Sequence, residues 1–255
     1  RYKGNYKVKS FSCWHQMLYM IFGQLSNRES LSDLSVCLQS QKNKSYHLGM
    51  GRGTSKANLA KANEKRDYRI YESFASSLVA QAQALSIPDE SFELQIDAPV
   101  YAIDATVVDL CLNLFWWGKF RRHKAAVKLH TMLDVKTSIP TVIFITSGAV
   151  HEVNLLDHFP IEEGSYYLLD KGYIEFEKLY RIHKSAAYFV MPAKDNFAFV
   201  RLNSRTVDKQ SGVICDQTVR LKNQLVSLKY PPELRRVKYR DAETDTQLVF
   251  ITNNF

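Results

Sequence analysis

The feature that most limits what this chain can fold into is a change of texture near Pro88. Ahead of it, apolar residues recur every three or four positions, the spacing that lines one face of a helix. Behind it they come in short runs separated by turn residues, the pattern of strands. Phe11, Trp14, Leu18, Ile21, Phe22 and Leu25 predict a helix over 11–25. Asn27 is placed to cap a second helix with Leu31, Leu34 and Leu38 inside, followed by a polar stretch over 39–45. Gly49, Gly51 and Gly53 break the chain, Thr54 or Ser55 caps a third helix over 55–66, and a long fourth follows over 68–85.

Beyond the acidic stretch that follows Pro88, strands are expected at 100–108, 126–135 and 141–146, the last two turned by residues 136–140. A short helix over 151–159, a strand over 166–170, a helix over 174–183 and a strand over 187–191 come next. Three closely joined strands, then helix, strand, helix and strand, is the element order of an RNase H-like mixed α/β sheet. Past Lys194 the pattern turns β-rich, with candidate strands at 197–202, 212–221, 234–240 and 247–252. The expected organisation is an all-helical domain over 1–90 and an α/β domain over 91–255.

Charge separates the same two parts. The chain carries a formal +8, yet residues 1–70 hold 13 Lys and Arg against 4 Asp and Glu, so the remainder is close to neutral. A basic module suits a polyanionic partner, because Lys and Arg on phosphates release condensed counterions. A helix, a glycine break and a Lys-rich helix with Lys56, Lys61, Lys65 and Arg66 are what a helix-turn-helix reader of DNA offers. The apolar runs fall well short of the ~20 residues that span a bilayer. With no signal-like segment at the N-terminus and four scattered cysteines read as reduced core thiols, the chain reads as cytosolic and trimmed.

Two acids stand out. Asp104 interrupts the apolar run Val100-Tyr-Ala-Ile-Asp-Ala-Thr-Val-Val108, and Asp170 ends Tyr166-Tyr-Leu-Leu, ahead of Lys171-Gly172-Tyr173. A carboxylate inside an apolar strand is costly unless it is paired or binds a metal. In the expected order the strands carrying these acids are neighbours, so together they would make a hard, oxygen-rich site for Mg²⁺ or Mn²⁺. Between them, Lys119, Arg121, Arg122, Lys124 and Lys128 gather after Trp116 and Trp117, basic and aromatic residues suited to a DNA backbone and an unpaired base. Lys128 and His130 share one face of a strand, and Tyr173 is placed to contact DNA beside Asp170. Packing in the core would explain His130 and Tyr173 as well.

Taken together, Tyr101-Ala-Ile-Asp104-Ala-Thr106, the 117–130 stretch ending Ala-Val-Lys128-Leu-His130, Asp170-Lys-Gly172-Tyr173 and Phe250-Ile-Thr252-Asn253-Asn254-Phe255 resemble blocks of the insertion-sequence-four family of DDE transposases. Tyr46-His-Leu-Gly49-Met50 and Ala62-Asn-Glu-Lys-Arg-Asp67 resemble the helical leader of many members. The resemblance implies an RNase H-like catalytic core with a β-rich insertion at about 195–255, and cut-and-paste transposition by two Mg²⁺ or Mn²⁺ ions. Asp104 and Asp170 would be the first two metal-binding acids. Double-stranded DNA ends and target DNA, two paired protomers and a bacterial, nucleoid-associated cytoplasmic setting are implied with it. The family's third acid, a Glu in a spaced Tyr-Arg-Glu-Lys motif, is not found in these 255 residues. The chain is therefore expected to be C-terminally truncated and inactive by itself. The alternatives are a non-catalytic DNA-binding remnant and an RNase H-like nuclease.

Overall fold

A computed structural model of the chain describes residues 2–51, 53–86, 96–110, 119–121 and 124–255, with backbone alone at 109, 110, 119–121, 124, 125 and 209. The chain forms two compact units, residues 1–81 and 82–255. The expected domain boundary at 90/91 lies outside the described residues.

The first unit is helical. Helix α1 (Cys13–Leu25) starts at a capping box: the Ser12 hydroxyl accepts from the His15 amide while the Ser12 amide donates to the His15 ring. Helix α2 (Leu31–Ser40) is capped by Ser30, not by Asn27, which instead turns the chain through the left-handed region at φ 51°. The polar stretch expected as loop contains a further helix, α3 (Lys42–His47). Helices α4 (Lys56–Lys65), capped by Ser55, and α5 (Arg69–Leu85) follow. Phe11, Tyr19, Leu34, Leu38, Met50 and Leu59 form the core. Trp14, Ile21 and Leu25 of the expected apolar face are exposed, and Gln16, Tyr19 and Gly23 take the inside of α1. The stripe is displaced because Gln16 is held inside by Tyr71 and Arg66, whose hydroxyl and guanidinium both donate to its amide oxygen at 2.6 Å.

The second unit is built on one mixed sheet, with no helix of the described residues long and apolar enough to cross a membrane. Its strands are β1 (Val100–Leu110), β2 (Lys119–Arg121), β3 (Lys124–Asp134), β4 (Ile139–Ser147), β5 (Tyr166–Leu169), β6 (Tyr188–Pro192), β7 (Phe199–Arg205), β8 (Val213–Leu221), β9 (Leu234–Arg240) and β10 (Gln247–Thr252). Their order is β2-β3-β1-β5-β6-β10-β9-β8-β7, with β4 also on β3. Strands β1, β3 and β4 are antiparallel, β5 and β6 run parallel to β1, and β7–β10 form an antiparallel set. The β-rich region past Lys194 therefore continues the same sheet, through β10 on β6.

Helices α6 (Glu152–Leu155) and α7 (Phe176–Lys184) cover one face of this sheet. Leu155, Leu156, Phe159, Leu179 and Ile182 pack with Tyr101, Ile103, Tyr167, Leu169, Phe189, Met191 and Ile251. The short helix α8 (Gln224–Lys229) was not expected from the sequence. Asn223 caps it by accepting from the amides of Leu225 and Val226. At the margins, β4 carries Pro140 beside a register shift, and β7 carries a shift between Arg201 and Asn203. Cys13, Cys37 and Cys215 are free and half-buried, not fully buried core thiols, and Cys111 lies outside the described residues.

Candidate active site

Alternation along β1 sends Tyr101 and Ile103 into the core and leaves Asp104 exposed on the opposite face. This corrects the expectation of a buried strand: Thr106, Val107 and Val108 are exposed as well, so burial ends part-way along β1. The Asp104 carboxylate accepts from the Ala105 amide at 2.7 Å. In the parallel pairing of β1 with β5, Ile103 lies beside Leu169, so the next residues, Asp104 and Asp170, stand side by side. Asp170 keeps extended backbone at φ −82° and ψ 166°, directly beyond the end of β5. Adjacent strands are about 4.8 Å apart, which brings the backbone at these two positions close.

A second group of polar side chains lies next to this pair. After Asp170 the chain makes one tight turn, Lys171–Tyr173, in which the Tyr173 amide donates to the Asp170 carbonyl at 3.0 Å. Tyr173 is fully buried, and its hydroxyl has no hydrogen-bond partner among the described residues. Burial first, then the negative charges of Glu152, Asp104 and Asp170, push that hydroxyl far above its ordinary value. The Tyr173 hydroxyl is thus a protonated donor within the field of three carboxylates. A β-carbon added to Gly172 would lie 2.7 Å from Glu152 Oε2 and 3.9 Å from Asp170 Oδ2, so both carboxylates crowd the same turn. A larger residue there would have to displace the Glu152 carboxylate.

Glu152 is held in turn. Lys128 Nζ donates to Glu152 Oε1 at 3.1 Å and to the Val150 carbonyl at 3.2 Å. His130 is fully buried and shares a 2.9 Å hydrogen bond with the Thr146 hydroxyl, while its Nδ1 has no partner among the described residues. Burial chiefly, and then the Lys128 charge, lower the His130 pKa, with Glu152 opposing them. The ring is therefore neutral near pH 7.

These positions change the reading of several residues. Lys128, His130 and Tyr173, expected at a DNA strand, are buried: the first is an ion-pair partner, the second a core histidine, the third a donor beneath the acids. On the first unit, Lys56, Lys61 and Lys65 are exposed on α4. Arg66 is instead tied down, donating to the Phe11 and Ser12 carbonyls and to Gln16. Lys119 and Arg121 fall on β2 and Lys124 begins β3, in backbone only, while Arg122, Trp116 and Trp117 lie outside the described residues. Glu152 was missed as a neighbour of this turn. Lys128 alternates with His130 and Met132 on the buried face of β3, and a lysine in such a position demands an acid nearby.

Among the described residues, no group of three His, Cys, Asp or Glu side chains is arranged to hold a metal ion. The paired aspartates do offer the donor chemistry such an ion takes: two hard carboxylates, solvent-accessible and adjacent.

Comparison with known proteins adds an independent line. Residues 95–246 match the family described as "Transposase DDE domain", a span that contains both aspartates. The chain belongs to the DDE transposase family. Residues 1–51 of this transposase-family chain match a domain of unknown function (DUF4372). A Sinorhizobium fredii protein named as transposase y4zB is 28% identical over 200 residues, 77% of this chain and 54% of that protein. A Geobacillus stearothermophilus protein named as the transposase for insertion sequence element IS5377 is 26% identical over 128 residues, 48% of this chain and 34% of that one. The chain thus spans about half the length, or less, of these relatives. The family assignment accords with the resemblance of the sequence blocks to the insertion-sequence-four type. Among solved structures, endonuclease V of Streptomyces avermitilis is 14% identical with a TM-score of 0.28, covering 71% of this chain and 75% of that one. A likeness that weak carries no argument.

Proposed function

We propose that this chain is the DNA-acting part of a transposase that cuts and joins strands at the ends of an insertion sequence, with Asp104 and Asp170 as ligands for Mg²⁺ or Mn²⁺. The observation that carries this reading is the pairing of Ile103 on β1 with Leu169 on its parallel neighbour β5, the residues directly before Asp104 and Asp170. The order β4-β3-β1-β5-β6, with its antiparallel and parallel halves, supports an RNase H-like sheet.

Divalent ions held by these acids would activate the attacking hydroxyl and stabilise the leaving oxygen of an in-line displacement. Asp104 and Asp170 face solvent, so a phosphodiester can reach them. Tyr173 keeps a proton beside the carboxylates, and the Lys128–Glu152 pair buttresses the turn from which Asp170 projects. The greater length of the relatives leaves room for the family's third acid outside these 255 residues. Two carboxylates alone bind a divalent ion weakly.

The exposed lysines of α4 support phosphate contact by the helical unit. Lys119, Arg121, Arg122 and Lys124, close together in sequence, are proposed as DNA contacts, with two protomers pairing on two element ends.

Strand transfer with labelled element-end DNA and Mg²⁺, using the chain joined to its natural downstream sequence, tests the reading. Joined product is expected, lost in Asp104→Asn and in Asp170→Asn, together with weaker Mn²⁺ binding in each variant. Cut DNA without joining would favour the nuclease reading. DNA binding with no cutting would favour a non-catalytic remnant. Mn²⁺ affinity unchanged in both variants would overturn the metal assignment.

A further inference from the structure

The face that carries Asp104 extends across the rest of the sheet. Pairing registers link Ala102, Leu168, Val190, Thr252, Arg235 and Thr218 in one row on that face. Two residues further along each strand, the next row has Asp104 on β1, passes just beyond the end of β5, and runs through Pro192, Phe250 and Val237 to Asp216 on β8 and Arg205 on β7. Asp216 is buried, and two arginines converge on it. Arg235 donates from Nε to Oδ1 at 3.0 Å and from an Nη to Oδ2 at 2.8 Å, and Arg205 donates to Oδ1 at 3.0 Å.

One carboxylate neutralises one guanidinium, so this cluster keeps a surplus positive charge. Both arginine side chains remain about a third exposed, at 33% and 30%, with donors left over after Asp216 is satisfied. Arg205 also lies over the Phe255 ring at 5.5 Å, which limits its freedom. Guanidinium groups fixed in this way lose little entropy when their planar forks meet phosphate oxygens. Strand spacing of about 4.8 Å puts β8, where both guanidiniums meet on Asp216, some 19 Å across the sheet from β5. Phosphates repeat every ~3.4 Å along one strand of a duplex, so this distance corresponds to about five to six nucleotides.

We infer that Arg205 and Arg235, clamped on Asp216, form a seat for backbone phosphates of the DNA whose reacting phosphate lies at Asp104 and Asp170. The inference rests on the transposase reading above. The seat takes phosphates of any sequence and fixes how far along the duplex the aspartates fall.

The test is binding of a short fluorescein-labelled duplex by the whole chain, followed by anisotropy across a salt series. The double variant Arg235→Gln with Asp216→Asn keeps the formal charge at +8, so a change cannot come from net charge. Its slope of log affinity against log salt is expected to fall by about one, since one guanidinium is removed and each phosphate contact contributes about 0.9. If the double variant melts below the wild type, Arg205→Gln, on the marginal strand β7, replaces it with an expected fall of about one. Unchanged slope and affinity in the properly folded variants, with wild-type binding intact, would overturn this inference alone. A wild-type chain that binds no duplex at all would overturn the DNA-acting reading and this inference with it.

Discussion

Lys128→Met removes the ammonium that ties Glu152 beneath the aspartates while keeping a similar volume on the buried face of β3. Two hydrogen bonds are lost, at 3.1 Å to Glu152 Oε1 and 3.2 Å to the Val150 carbonyl. A hydrogen bond to a charged group contributes about 1.5–3 kcal/mol, and an abandoned buried carbonyl costs about 1 kcal/mol or more. The Glu152 side chain is 28% exposed against 10% for Lys128, so water recovers part of the loss. The expected destabilisation is about 2–3 kcal/mol, or roughly 5–10 °C in the melting temperature of a unit of this size. Thermal unfolding followed by circular dichroism measures it. Replacing both partners, Lys128→Met with Glu152→Leu, should recover at least half of the loss, because no uncompensated charge remains. A single variant within about 0.5 kcal/mol of wild type, or a double variant worse than the sum of the two singles, would refute the buttress.

Three further outcomes are expected. Gly172→Ala should cost about 1 kcal/mol, because its new methyl meets Glu152 Oε2 at 2.7 Å and that oxygen cannot retreat without straining the Lys128 pair. In a Glu152→Ala background the same change should be close to neutral by urea denaturation. Burial lowers the pKa values of His130 and His183 from 6.5, so the unfolded chain takes up protons first as pH falls. Stability from these two groups is present above pH 6.5 and is lost as pH drops from there through their folded values. Replacing both with Gln should flatten the urea midpoint between about pH 7 and 5. Leu59→Ala, in the small core of the first unit, should cost about 2–5 kcal/mol. Calorimetry should show the transition of residues 1–81 moving down while that of the sheet stays in place.

The elements legible in the sequence were those in which local chemistry and burial agree. Ser55 ahead of α4, the apolar run of β1 and the turn before β4 each signal themselves within a few residues. Helix α3 was hidden because Lys42, Asn43, Lys44 and Ser45 have no apolar stripe, and the helix makes only a small contribution to the core through a buried Ser45. The side of α1 that packs inward was misread for a tertiary reason: Arg66 and Tyr71 supply partners that make Gln16 a better inside residue than Trp14. At the site, Asp104 and Asp170 were readable as acids at apolar strands. Their surroundings were not, since the links from Lys128 to Glu152 and from Glu152 to Gly172 exist only after β3, α6 and the turn behind β5 come together. The Asp216 cluster was equally invisible, as it joins three strands through pairing registers that no local pattern specifies.

The two margins of the sheet bear on how copies of this protein behave at high concentration. An open sheet leaves amide and carbonyl groups free along its last strands, a template on which another chain can add a strand and begin to aggregate. Pro140 removes an amide from β4 at the register shift there, and the shift in β7 bends a strand whose arginines at 201 and 205 repel a like neighbour. Strand-on-strand polymerisation is thereby disfavoured at both ends, which keeps a wide, one-sided sheet available as a working surface.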